Sequence, residues 1–273
     1  MVGSLSYYRR PMTATQILAL LAAAFGAGAM NAMAGGGTIL TFPTLMFLGM
    51  PAIQANATST VALLPGAVTS MVGFRREVSQ NRGWLKTLFL PSLLGGVLGS
   101  VLLLRTPERI FQNLAPLLIL FATVLFMLRG ALSRRFSFAS GPAGVPDPST
   151  LSKGRWAAAT LLQLGVAVYG GYFGAGIGIL MLALLGFLGM TDIHAMNGLK
   201  NFFNLCINGV AAAWFVIQGA VSWPEALVIA VGAAAGGYGG ARFSRRIGQD
   251  KARAAVVVIG LLVTALLAWQ QLR

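Results

Sequence analysis

The chain is 273 residues long, and 56% of these residues are hydrophobic while only 10% are charged. An ordinary soluble domain carries about 25% charged residues. The composition therefore excludes an ordinary soluble domain. The net charge is +14. In a chain this apolar, basic residues between apolar runs mark cytoplasmic loops, and we expect no nucleic-acid partner.

Long apolar runs recur along the whole chain. They are Thr15–Ala34, Leu85–Leu104, Ile110–Leu128, Trp156–Tyr169 and Ala254–Trp269. A helix needs about 20 apolar residues to cross the hydrocarbon core of a bilayer. Several runs of this kind distinguish the chain from one with only a signal peptide or a single anchor. The sequence therefore predicts an all-α integral membrane protein whose lipid contacts extend over many helices.

The two halves of the chain resemble each other at an offset of 140 residues. Phe47-Leu48-Gly49-Met50 recurs as Phe187-Leu188-Gly189-Met190, and Gly36 pairs with Gly176. Both halves contain, in order, an apolar run, a glycine-rich break, a short apolar segment, a polar-capped helix, a Trp-led span and a last span. A shared order of this kind indicates an internal repeat.

A segment rich in Ser, Pro and Gly separates the two halves. This composition is typical of a solvent-exposed linker. We predict a first transmembrane repeat over residues 1–130, a cytoplasmic linker over residues 131–155 and a second transmembrane repeat over residues 156–273.

The distribution of basic residues favours five membrane segments in each half. The basic loops are Arg75–Lys86, Arg129–Arg155 and Arg242–Arg253, whereas Gln218–Ser222 carries no charge. With five segments per half and the N-terminus outside, all three basic loops face the cytoplasm. An odd number also inverts one half relative to the other, as in many secondary transporters whose site lies at the midplane. The alternative is four crossings per half with re-entrant short segments, which places Arg242–Arg253 outside.

Two glycine-rich breaks precede the short segments, at Gly35-Gly36-Gly37-Thr38 and at Gly174-Ala175-Gly176-Ile177-Gly178. Glycine lets the backbone leave the helix and approach a ligand. Non-helical backbone at membrane depth is tolerated only in protein or beside a water-filled cavity. The start of the next helix then offers N–H groups to an anion. We expect both breaks to contact substrate, and close helix packing is the alternative.

Polar side chains follow each short segment. In the second half they are Asn197, Lys200, Asn201, Asn204 and Asn208, and in the first half they are Asn56, Thr58, Ser59 and Thr60. Such groups are costly to expose to lipid, so they must face the protein interior or a cavity. A cavity rich in donors, with one lysine and almost no acids, suits an anion. We predict substrate contacts from all of these residues except Asn208. The alternative is that the amides only bridge helices.

Motifs for other chemistry are absent from the sequence. It has no ATP-binding G-x-x-x-x-G-K-[ST] loop and no cluster of transition-metal ligands. With one His, one Cys and six acids, no nucleophile and base can be paired convincingly. We therefore expect no enzyme activity and no cofactor. His194 is either a pH-sensitive gate or a structural residue near a helix end.

Two signatures resemble those of the sulfite exporter TauE/SafE family, a set of mostly prokaryotic membrane transporters. The first is Ala34-Gly35-Gly36-Gly37 with Pro43, followed by Gln54-Ala55-Asn56-Ala57-Thr58-Ser59, and the second is Met196-Asn197-Gly198-Leu199-Lys200-Asn201. The resemblance extends from about Ala14 to Leu272. It implies a multi-pass protein of the plasma (inner) membrane that transports sulfite, sulfonates or related organic acids. The second glycine motif is less dense, and Ala183 stands where the first half has Pro43, so the two half-sites are not equivalent.

These observations predict a secondary transporter of small anions that works by alternating access, with a proton or cation as the coupling ion. An uncoupled anion channel or uniporter and a non-transporting membrane assembly protein are the alternatives. The glycine-rich packing faces serve either the interior of one chain or a homodimer.

Overall fold

The computed structural model describes residues 12–33, 36–137, 144–150, 152–247 and 249–272, and within these ranges it is helical with no strand. The helices are α1 (Ala14–Met33), α2 (Thr38–Phe47), α3 (Ala52–Gly73), α4 (Arg75–Gln80), α5 (Arg82–Arg105), α6 (Glu108–Ser137), α7 (Lys153–Tyr172), α8 (Ile177–Phe187), α9 (Ile193–Ile217), α10 (Trp223–Ile247) and α11 (Gln249–Leu272). A single 3-10 turn, Pro148–Thr150, precedes α7. The prediction of an all-α fold is confirmed.

Several helices are apolar enough to cross a bilayer. Among the described residues, four stretches have both the length and the composition of a membrane-spanning helix, and they are Ala14–Asn31, Arg82–Arg105, Glu108–Leu128 and Ile193–Ile217. Shorter apolar helical stretches are Thr38–Phe47, Ile177–Phe187, Trp223–Gly237 and Val257–Gln270. Large apolar side chains such as Leu90, Leu117 and Leu161 are more than 60% exposed, as lipid-facing residues are. The protein is thus a multi-pass membrane protein, and the choice between five and four crossings per half stays a prediction.

The helices follow the same order in the two halves. A long helix, a short helix and a long helix (α1, α2, α3) correspond to α7, α8 and α9, and α5 and α6 correspond to α10 and α11. The short α4 has no counterpart among the described helices. The short apolar segments predicted from the sequence are α2 and α8. The inverted relation of the two halves stays a prediction.

The duplicated Phe-Leu-Gly-Met motif ends the two short helices. Gly49 and Gly189 have φ angles of +88° and +91°, a left-handed conformation that glycine adopts without a steric penalty. The next residue then donates back to the last turn, from Met50 N to the Leu45 carbonyl and from Met190 N to the Leu185 carbonyl, both at 3.1 Å. Each copy of the motif is therefore a helix stop, which explains why the glycine recurs.

The most extensive contacts between helices join a helix of the first half to a helix of the second half. Helix α1 packs along α10, and α5 packs along α7, while α3 and α9 lie against each other. Glycines allow this approach: a Cβ added to Gly99 would lie 2.1 Å from the Val168 carbonyl oxygen, and one added to Gly236 would lie 1.9 Å from that of Phe25. Gly95 and Gly232 allow the same close approach, since an added Cβ would lie 2.5 Å from Ala167 Cβ and 2.7 Å from Ala24 Cβ.

The described part of the segment predicted as a linker is partly helical and partly docked. Residues 131–137 extend α6, because this stretch contains neither Pro nor Gly, the two residues that most disfavour a helix. Farther along, the Trp84 indole N–H donates to the Pro146 carbonyl at 2.8 Å, and Gly144 N donates to Thr191 Oγ1 at 2.9 Å. The turn before α7 is therefore fixed to the start of α5. The domain boundaries themselves stay predictions.

Candidate functional site

Both glycine-rich stretches interrupt the helical backbone, one between α1 and α2 and the other between α7 and α8. Gly36, Gly174 and Gly176 have φ angles of +116°, +78° and +77°. Side chains with a Cβ rarely adopt these angles, so the breaks depend on glycine. Gly36 and Gly176 occupy equivalent positions in the two halves. Gly35 lies outside the described residues.

Asn31 on α1 closes the first break with its side chain. Its Oδ1 atom accepts hydrogen bonds from Gly36 N at 2.9 Å and from Gly37 N at 2.8 Å. These two N–H groups have no helical partner at the break, so the amide oxygen satisfies them inside the membrane region. Sequence reasoning missed this residue. The signal was present, because an asparagine near the end of an apolar run is itself costly in lipid.

A cavity of about 680 Å³, a volume that includes its open mouth, lies where the two breaks meet α3 and α9. From the first half its polar lining residues are Asn31, Thr38, Thr60 and Ser70, and from the second half they are Lys200, Asn201, Asn204 and Asn208. Backbone of Gly36, Gly66, Gly174 and Gly178 completes the polar part of the wall, and Leu63, Leu64, Ala67 and Ile177 form the apolar part. The structure therefore brings both glycine breaks and both polar helices to one place.

Lys200 supplies the only charge among the described residues that line the cavity. Its side chain is 8% exposed, and Nζ donates to Asn197 Oδ1 at 3.0 Å. Asn197 does not line the cavity, and its own Nδ2 donates to the Ile193 carbonyl at 2.8 Å. Asn197 thus positions the lysine instead of facing the cavity. Thr60 is the residue of the first half that corresponds to Lys200 at the offset of 140 residues, and it also lines the cavity.

The asparagines of α9 form a linked pair beside the second break. Asn208 Nδ2 donates to the side-chain oxygen of Asn204 at 2.8 Å and to its carbonyl oxygen at 2.9 Å. Asn201 lies one turn before Asn204 and lines the same cavity, as the spacings of three and four residues predict for one helical face. The amide groups of this face are therefore directed to the cavity, and the described lining includes no carboxylate.

Three predicted residues of α3 lie outside the cavity lining. Thr58 Oγ1 accepts from Ser222 N at 3.0 Å, Ser59 shares a hydrogen bond with Thr41, and Asn56 Nδ2 donates to the Tyr172 carbonyl at 3.0 Å. All three side chains are buried. They connect α3 to the start of α10, to α2 and to the end of α7, which is a packing role. Thr60 alone of the four predicted α3 residues faces the cavity.

The first turns of α2 and α8 open toward the cavity. Thr38 and Gly178, at equivalent positions in the two halves, both line it. The first N–H groups of a helix lack helical partners and carry the positive end of the helix dipole. Gly37 and Gly176 lie behind them, buried, outside the lining. Among the described residues no three His, Cys, Asp or Glu side chains are close enough to hold a metal ion.

Comparison with known proteins matches this chain to transporters. The family model described as sulfite exporter TauE/SafE matches residues 20–267. A probable membrane transporter protein of Haemophilus influenzae is 27% identical over 259 residues, which cover 92% of this chain and 94% of that protein. A probable membrane transporter protein, ORF9, of a Sinorhizobium species is 27% identical over 244 residues, covering 89% and 88%.

The Escherichia coli K12 protein YfcA, also a probable membrane transporter, is 26% identical over 251 residues, covering 89% of this chain and 86% of its own length. No solved structure matches the chain. The family match extends over both breaks, both short helices and the cavity between them, so the resemblance is not confined to one motif. The chain belongs to the sulfite exporter TauE/SafE family of membrane transporters.

Proposed function

We propose that this membrane transporter is a secondary carrier of small anions in the plasma (inner) membrane, with its substrate bound in the cavity between the two halves. The observation that carries the proposal is the chemistry of the wall: one lysine, several amide and hydroxyl groups and two helix starts, with no acid among the described lining residues. Such donors replace the hydration of an anion that leaves water. The family's description, sulfite exporter, supports sulfite-like anions as substrates, and we include organosulfonates in the proposal because the cavity also has an apolar wall.

The single charge of Lys200 favours a monoanion over a dianion, because a second negative charge would lack a buried partner. Leu63, Leu64, Ala67 and Ile177 add an apolar wall, against which a short carbon chain packs. A sulfonate with its three acceptor oxygens at the polar wall and its carbon chain at the apolar wall satisfies both parts.

Alternating access requires a movement close to the substrate, and α3 has a suitable position for it. Pro65 lies within α3, and a proline inside a helix removes one backbone hydrogen bond and favours a kink. Its neighbours Leu64, Gly66 and Ala67 line the cavity. We infer that bending of α3 at Pro65 accompanies the movement of one half against the other that exposes the site to each side in turn.

The direct test is the thermal stability of the detergent-purified protein with sulfite, sulfate, thiosulfate, taurine, sulfoacetate and acetate. A ligand that binds only the folded state stabilises it by about 2.7 kcal/mol at a concentration of 100 Kd. We expect sulfite, which is partly the monoanion hydrogen sulfite near neutral pH, to raise the melting temperature more than the dianion sulfate does. If none of the six compounds shifts it, the proposed binding of anions is wrong.

Transport of the anion that passes this test is then measured in liposomes. A coupled carrier accumulates the anion against its gradient when a proton or sodium gradient is imposed. An anion channel equilibrates it whatever the gradient, and an assembly protein gives no flux at all. Either of the last two results rejects the carrier mechanism.

Replacing Asn31 by Asp tests whether the cavity selects anions by charge. The Asn31→Asp variant keeps the oxygen that accepts from Gly36 and Gly37 but adds a negative charge to the cavity. Two unit charges about 4 Å apart repel by about 4 kcal/mol at an intermediate dielectric constant. We therefore expect anion binding at least about tenfold weaker, measured as a smaller rise in melting temperature.

The matched control is Asn113→Asp, which adds the same charge at an exposed position on α6 and should leave the anion response unchanged. An unchanged response in Asn31→Asp, with a normal melting temperature without ligand, would show that anions bind elsewhere.

A further inference from the structure

A second pocket lies away from the anion cavity, between the first turns of α5 and α7 and the turn that precedes α7. It is an open depression with room of about 660 Å³ for water-sized molecules. Its walls carry Lys86 and Thr87 from α5, Asp147 from the turn, and Lys153 and Trp156 from α7. None of these residues lines the anion cavity, so the pocket needs its own explanation.

Close contacts hold the walls of this pocket in place. The Trp84 indole N–H fixes the turn through the Pro146 carbonyl at 2.8 Å, and a Cβ on Gly83 would lie 2.9 Å from Pro148 Cγ. Farther along the same helices, Gly95 and Gly99 bring α5 against α7. The two helix starts are therefore kept side by side, and the pocket between them is part of the packed structure.

The pocket combines positive charge with one ionised acid. Lys86 and Lys153 are exposed, and each lies in the first turns of a helix of 20 residues or more, where the helix dipole adds positive potential. Asp147 Oδ1 accepts from Ser149 N at 2.9 Å. The hydrogen bonds from Ser149 hold the pKa of Asp147 below its usual range, so this carboxylate is ionised at neutral pH. The three side chains together carry one net positive charge.

An apolar surface continues from the pocket along both helices. On α5, Leu90 and Leu94 follow Lys86 by four and eight residues, and they are 62% and 51% exposed. On α7, Leu161 follows Lys153 by eight residues and is 67% exposed. These spacings place the leucines on the same helical faces as the lysines. Trp156, 48% exposed, lies between the charged and the apolar parts, as tryptophan does at membrane interfaces.

We propose that this pocket binds the headgroup of an anionic phospholipid such as phosphatidylglycerol. The phosphate lies between the ammonium groups of Lys86 and Lys153, and a glycerol hydroxyl donates to Asp147. Trp156 lies at the level of the ester groups, and the acyl chains follow Leu90 and Leu161. Basic pockets between transmembrane helices bind lipid headgroups in this way. The proposal is independent of the anion that the protein transports.

The test is native mass spectrometry of the purified protein after incubation with equal amounts of phosphatidylglycerol and phosphatidylethanolamine. We expect the protein to retain phosphatidylglycerol in preference. The double variant Lys86→Gln/Lys153→Gln should retain about tenfold less of it, because each lysine near the surface contributes to the attraction of an anionic lipid. The matched control Arg105→Gln/Arg109→Gln removes the same charge at and just beyond the other end of α5 and should retain as much as the original protein.

Three results would overturn the proposal. The first is equal retention of the two lipids by the original protein, and the second is an equal loss in the lysine and arginine variants. The third is displacement of phosphatidylglycerol by the same concentration of soluble glycerol phosphate, which would show that the pocket recognises phosphate without the lipid. The first and third results are measured on the original protein. A folding defect in a variant therefore cannot obscure them.

Discussion

Lys200→Ala is expected to fold and insert normally and to lose anion binding by about 10-fold to 150-fold. The lysine is the one charged group among the described lining residues, and a hydrogen bond to a charged group contributes about 1.5–3 kcal/mol. Folding should persist because a charge that is 8% exposed is itself costly to bury, and alanine removes that cost. Asn197, which accepts from Nζ, is only partly buried and can turn to another partner.

Two measurements check this expectation: the rise in melting temperature caused by the best anion, and uptake of that anion into liposomes. Lys200→Arg is the matched variant, because it keeps the charge and should retain part of the response. Unchanged uptake by Lys200→Ala would remove Lys200 from the site. Loss of uptake with a fully retained thermal response would assign the lysine to a later step than binding.

Gly99→Ala is expected to lower the stability of the protein by several kcal/mol, the largest structural effect among these variants. The added Cβ would lie 2.1 Å from the Val168 carbonyl oxygen and 2.7 Å from Tyr172 N, both of which are backbone atoms that cannot rotate away. Overpacking by one carbon typically costs about 1–3 kcal/mol when side chains can adjust. Here α5 and α7 must separate along their whole contact.

Gly165→Ala is the control, since Gly165 belongs to the same helix pair and a Cβ there meets nothing within 4 Å. Alanine also favours the helix over glycine by up to about 1 kcal/mol, so this variant should melt at the same temperature or higher. Size-exclusion chromatography and thermal melting in detergent compare the stability of the two variants. Equal melting temperatures for Gly99→Ala and Gly165→Ala would contradict the close packing of α5 on α7.

Local patterns in the sequence were enough to predict most of the helices. The apolar runs became α1, α5, α6, α7 and α11, and the two short segments became α2 and α8. Asp192, an acid directly before α9, caps this helix: its Oδ1 accepts from His194 N at 2.8 Å. These features depend on neighbours in the sequence, such as a glycine after the last turn or an acid before the first one.

The site could be predicted only in part, because the partner of a polar side chain is a tertiary property. The glycine breaks and the Lys200 face of α9 do meet at one cavity. On α3, however, Thr58 and Ser59 face α10 and α2 instead. Helical spacing offered a hint for Thr58 alone, since Thr60, Leu63, Ala67 and Ser70 lie on one face and Thr58 on the opposite one. Ser59 lies four residues before Leu63, at the edge of the same face, so spacing does not exclude it. Composition alone does not tell which polar face meets a neighbouring helix.

The packing of α1 against α10 determines when the fold can be completed during synthesis of the chain. The contact surface of α1 lies on α10, about 190 residues later in the chain. At a synthesis rate of 5–20 residues per second, α1 leaves the ribosome about 10–40 s before its partner exists. Throughout that time its small-residue face must be covered by lipid or by the insertion machinery. On this face a Cβ added to Gly28 would lie 2.0 Å from the Ala233 carbonyl oxygen in the finished fold. Completion of the fold therefore waits for the last fifth of translation, and a chain released before α10 leaves α1 without its principal contact.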